Sequence, residues 1–140
     1  IHSGIVINNI KLTFKNGRVT DYSASSGLEE LENIIKFDDE SSMLGEAALV
    51  DYNSKISNSN IVFYETLFDE NAACHIALGN GFKECIKNSS TMSEEELEKV
   101  GYNKSKNHVD IMIGTKDLSI TATTYDNVEI EIFKNGSFNI

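Results

Sequence analysis

His108 and Asp110 lie two residues apart in the segment NHVDIMIG, at 107 to 114. In an extended chain, positions two apart share a face. An imidazole and a carboxylate therefore project together, opposite Val109, Ile111 and Ile113. Similar mismatches occur at Glu46 in GEAALV, and at Glu70 and His75 in FDENAACHIALG. A carboxylate buried without a partner is expensive, so each must be paired, hydrogen-bonded or bound to a metal.

Singly, each residue has an ordinary account. A histidine in an apolar segment is commonly a hydrogen-bonded core residue, and a glutamate at a strand edge is commonly half exposed. As a set they point to a metal. Two of the three histidines and three carboxylates sit in the most apolar segments, away from the acidic patches at 29 to 40 and 94 to 98. Imidazole and carboxylate without thiolate suit Zn, Mn or Co, whereas a structural zinc favours cysteine. Two such ions roughly 3.5–4 Å apart form a standard hydrolytic centre.

The rest of the chain bounds the reading. Its 140 residues suffice for one domain with a core, and 40% of them are hydrophobic. A formal net charge of −10 argues against nucleic acid and against an anionic membrane, since both require a basic face. The acidic patches read as solvated helix faces. No apolar run reaches the roughly 18 residues of a membrane span, and no signal-peptide pattern opens the chain. The start IHSGIVINN lacks Met, and we read it as a cut inside a longer protein. Cys74 and Cys85, ten residues apart, form neither a CxxC pair nor a disulfide framework. Reduced thiols in a cytoplasmic protein, with Cys74 used in packing, are the expectation.

Several elements must position these groups. Residues 4 to 24 read as β structure turned at KNG, 15 to 17. A helix follows, with Ser26 and Glu29 as a capping box and Leu28, Leu31, Ile34 and Ile35 as its apolar stripe. GEAALV is a short strand, followed by a loop. Residues 61 to 82 show no deciding period, and a helical turn is expected around Asn71 to His75. Residues 83 to 106 form an exposed excursion with a short helix opened by Ser93 and Glu96. DLSITATTY, VEIEIF and SFNI return to β structure across the DN and KNG turns. The expected fold is a single α+β domain, with a mainly antiparallel sheet and a few short helices.

The strings GEAALVDYNSKIS, VFYETLFDENAACHIALGNGF, NHVDIMIG and IFKNGSF occur in that order. Together they resemble the thermophilic-type metalloaminopeptidases, family M29, over nearly the whole chain. The resemblance implies a two-metal exopeptidase, using Zn, Co or Mn, that releases N-terminal residues from peptides. It makes Glu46, His75, His108 and Asp110 metal ligands and sets Glu70 near the metals as the candidate base. It also implies a homodimer with an enclosed site, and a further metal-binding glutamate upstream of residue 1. On that basis the chain is the C-terminal, catalytic-type domain of a longer enzyme, binding metal weakly and inactive alone. Where the family carries a tyrosine, seven residues after the motif histidine, this chain has Phe82. The alternatives are a non-catalytic folding or assembly domain of the same ancestry, and a β-rich binding module with a structural ion.

Overall fold

The computed structural model describes residues 1–139, so Ile140 of the SFNI segment lies outside the described residues. The chain is α+β. In order it runs β1 (Lys11–Lys15), β2 (Arg18–Ser23), α1 (Leu28–Ile35), β3 (Leu44–Ala48), α2 (Lys55–Ser59) and α3 (Thr66–Asp69). It continues through β4 (His75–Gly79), α4 (Glu94–Lys99), β5 (His108–Met112), β6 (Ile120–Thr123), β7 (Glu129–Lys134) and β8 (Ser137–Phe138). Two compact units are distinguished, Ile1–Glu46 with Ala77–Val109 and Ala47–Ile76 with Asp110–Ile140.

In the first unit β1 and β2 pair as an antiparallel hairpin. Asn16 and Gly17 turn it with φ of 51° and 78°, the left-handed conformation that a tight primed turn demands. The strand starts later than the sequence suggests. Residues 1 to 10 hold only isolated bridges, His2 to Ile5 and Asn8 to Ser26, and Asn9 takes φ 51°. Helix α1 buries Leu31, Ile34 and Ile35, the helical spacing that places three side chains on one face, while Leu28 stays 43% exposed. The expected Ser26 capping box is absent. Gly27 is the N-cap in a left-handed conformation, and the Ser26 hydroxyl accepts a hydrogen bond from Asn8 instead. The box at Ser93 and Glu96 is present in full and opens α4, whose Leu97 is buried.

In the second unit β6, β7 and β8 form an antiparallel sheet turned at Asn135–Gly136, with φ of 49° and 74°. Phe133 is fully buried there, edge-on to Phe138 at 5.0 Å between ring centres. The helical turn expected around Asn71 to His75 falls earlier. The Asp69 carboxylate accepts the N–H groups of Phe63 and Glu65, which anchors the chain where α3 begins. A 3₁₀ turn over Glu70–Ala72 follows, and Ala73 is extended at φ −158° and ψ 163°. His75 therefore opens a strand.

Strands β3, β4 and β5 form the remaining sheet, in that order. Their flanking hydrogen bonds run antiparallel. Gly79, ending β4, donates to the Met43 carbonyl just before β3, and Ile113, just after β5, donates to the Cys74 carbonyl just before β4. Burial along β5 is intermediate from His108 to Ile111, so the strand lacks the clean in–out alternation expected of it.

Asp38, in the loop after α1, is held well below the usual carboxylate range. Its burial would raise the pKa. The N–H groups of Lys106 and Glu40 and the hydroxyls of Ser41 and Ser105 more than offset this and lower it from 3.8 to about 2. Because the folded pKa lies below the unfolded one, the stabilisation is fully present above pH 3.8 and is lost as pH falls through about 2. Denaturation measured across that window should show acid destabilisation in the parent chain. Asp38→Asn should be less stable at neutral pH and should lose part of the acid dependence. An unchanged pH profile in that variant would remove Asp38 as a source of it.

Candidate metal centre

His75 is 4% exposed at the start of β4. Its Nδ1 lies 3.0 Å from the Ala73 carbonyl. A carbonyl oxygen only accepts, so Nδ1 carries the proton, the tautomer in which Nε2 could ligate a cation. His108 opens β5 in the same way, its Nδ1 2.7 Å from the Asn80 carbonyl. The extended Ala73 and the sharp turn at Gly79, φ 98°, aim these two carbonyls. A side chain at position 79 would collide with the Asn107 carbonyl, so glycine is required there.

The donors converge. Glu46 of β3, His75 of β4 and Asp110 of β5 each offer a ligand atom, and these atoms all lie within 4.8 Å of one another. His108 Nε2 lies 3.1 Å from Glu46 Oε2. Glu46 is thus common to both groupings. Both carboxylate oxygens of Asp110 are buried from solvent. Phe82, half exposed, places its ring edge-on to His108 at 5.2 Å between ring centres.

The donor set fits a divalent cation. Two ligand atoms on one tetrahedral zinc with ~2.0–2.2 Å bonds are ~3.3–3.6 Å apart. The three ligand atoms lie within 4.8 Å of one another, a range that includes this separation. The group contains no cysteine, and the buried Cys74 thiol donates to the Val50 carbonyl. Glu70 opens the 3₁₀ turn after α3, half buried, and is not a member of the three-residue group. Of the expected ligands, Glu46, His75 and Asp110 come together and His108 lies against Glu46, while Glu70, the expected base, sits in the turn just before β4.

Sequence reasoning missed the two carbonyls that orient the imidazoles. Backbone groups leave no residue-type signature, although the GNG run at 79 to 81 signals an unusual turn.

An α+β chain carrying a mixed imidazole–carboxylate group on one sheet has the donor chemistry of a divalent-metal site. The comparisons narrow it. The family model described as "Thermophilic metalloprotease (M29)" matches residues 1–138, and the chain belongs to that family. It is similar to aminopeptidase 2 of Geobacillus stearothermophilus and to aminopeptidase AmpS of Bacillus subtilis (strain 168). Each is 47% identical over 98% of this chain and 33% of the relative. Aminopeptidase T of Thermus aquaticus is 33% identical over 99% of the chain and 33% of its own length. Among solved structures, wild-type AmpT from Thermus thermophilus superposes with a TM-score of 0.86 at 31% identity, covering 98% of this chain and 33% of that one. The chain therefore spans about a third of the length of these relatives.

If Glu46 is shared as the geometry indicates, Glu46→Gln should weaken zinc binding more than either histidine variant alone. Calorimetric titration of the three variants orders them, and an equal or stronger affinity in Glu46→Gln would show that Glu46 is peripheral.

Proposed function

We propose that this chain is the metal-site domain of a longer aminopeptidase that releases N-terminal residues from peptides. The observation that carries the reading is the position of Glu46, a carboxylate common to the His75–Asp110 group and to His108. Glu46, His75, His108 and Asp110 would hold the divalent ions of such a centre. Zn, Co or Mn fit the donor chemistry. Such ions supply Lewis-acid polarisation of the scissile carbonyl and a water nucleophile at neutral pH.

The chain's own residues supply the rest. The Ala73 and Asn80 carbonyls hold the imidazoles in the Nδ1–H tautomer, so neither ring must reorganise when a cation arrives. Glu70 is assigned the proton from the attacking water. This residue sits in the turn directly before β4, whose first residue is His75. Phe82 lines the approach to His108 with an apolar ring and offers no hydroxyl to a developing oxyanion.

The same reading makes the complete protein a cytoplasmic homodimer acting on short peptides. Among the described residues no helix is long and apolar enough to cross a membrane. The 140 residues alone are expected to bind metal weakly and to lack turnover, because each missing anionic ligand weakens a divalent site.

The complete protein should cleave N-terminal residues from short peptides, lose that activity to a chelator and regain it with Co, Zn or Mn. His75→Ala should abolish turnover while circular dichroism shows the fold retained, and full activity in that variant would refute the assignment. Phe82→Tyr should raise kcat by about 10-fold or more, since one hydrogen-bond donor to an oxyanion is worth up to about 10²–10³ in rate. A complete protein that binds metal without cleaving any peptide would favour the folding or assembly reading.

A further inference from the structure

The loop from Asn103 to Asn107 runs directly into β5 and His108, and it is held by polar groups far away in sequence. Asp38 accepts the Lys106 N–H at 2.8 Å through Oδ2, and the Ser105 hydroxyl lies 2.9 Å from both of its oxygens. Ser41, fully buried, donates its hydroxyl to Asp38 Oδ1 at 2.8 Å. Ser105 Oγ in turn accepts the Asn107 N–H at 3.0 Å. Asn103, 6% exposed, donates to the Glu40 and Met43 carbonyls and accepts the Ser105 N–H.

The chain of bonds then continues into the site. The Asn107 carbonyl accepts the Asn80 N–H at 2.6 Å. The Asn80 carbonyl, the other end of that residue, accepts the His108 Nδ1 proton at 2.7 Å. Asn80 is therefore clamped from one side by Asn107 and presents its carbonyl to the imidazole on the other. A Cβ at position 79 would collide with the Asn107 carbonyl oxygen, so glycine there leaves room for this bond.

We propose that Asp38 and Ser105 are positioning residues for His108. By fixing Lys106 and Asn107 they fix the Asn80 peptide, and through it the tautomer and orientation of the His108 ring. The Asn80 carbonyl can only accept, so it takes a proton at Nδ1, and Asp38 and Ser105 hold that carbonyl in place. The inference rests on the reading of His108 as a metal ligand only for its use; the positioning itself is a property of the folded chain.

The test is long-range ¹H–¹⁵N spectroscopy of the imidazoles in the 140-residue chain at alkaline pH, for the parent, Asp38→Asn and Ser105→Ala. His75 is the internal control, since the Ala73 carbonyl holds it independently of the loop. The parent should show Nδ1–H at both histidines. In each variant His108 should lose Nδ1–H and move to the Nε2–H tautomer, while His75 stays unchanged. Zinc affinity should then fall about 10-fold, the low end of what removing an outer-shell partner costs. Retention of Nδ1–H at His108 in a folded variant, or equal changes at both histidines, would overturn the proposal. If Asp38→Asn fails to fold, Ser105→Ala, which removes one hydroxyl, decides alone. If zinc leaves the parent's His108 Nε2 resonance unmoved, the metal reading fails while the Nδ1 result still judges the positioning.

Discussion

A histidine can bind a cation through one nitrogen only if something else keeps the proton on the other. In this chain that task falls to two backbone carbonyls, of Ala73 for His75 and of Asn80 for His108. A carbonyl cannot donate, so the choice of tautomer is enforced without any titratable partner. The demand propagates outward. Ala73 must be extended, Gly79 must take a left-handed turn, and the loop before β5 must hold still. Much of the irregular backbone around β4 and β5 is explained by aiming those two oxygens.

The sheet supplies what loops could not. Adjacent strands bring side chains from distant parts of the sequence within reach, and their backbone hydrogen bonds fix the spacing. Glu46, His75 and Asp110 come from β3, β4 and β5 in turn, and so meet despite separations of 29 and 35 residues (75 − 46 and 110 − 75). The apolar neighbours in β4, Ala77 and Leu78, are fully buried. They anchor the strand in a place where His75 alone would be costly to bury. Polar groups on this sheet are tolerated because hydrophobic burial on either side of them exceeds the penalty.

The sequence was most informative where local chemistry decides the outcome. The Asn16–Gly17 and Asn135–Gly136 turns need left-handed backbone, and the Ser93–Glu96 box satisfies its own helix end, so both are visible in a few residues. Ser26 misled because Gly27, free to adopt φ 72°, took the cap position and left the hydroxyl to Asn8. Residues 61 to 75 misled for another reason. Their apolar content has no period, and the start of α3 is set by the Asp69 side chain reaching back to Phe63 and Glu65. Glu46, His75, His108 and Asp110 stood out in the sequence as candidates, because polar residues in apolar strands need an explanation. Asp38, Ser105 and Asn103 were not, because polar residues in loops need none until tertiary contacts bury them.

X-ray absorption at the zinc edge of the zinc-loaded chain tests the centre most directly. The account predicts a first shell of nitrogen and oxygen at ~2.0–2.2 Å, with the outer-shell scattering of imidazole and no sulfur. A sulfur shell near ~2.3 Å, which would bring in Cys74 or Cys85, or a shell of water oxygens without imidazole, would contradict it.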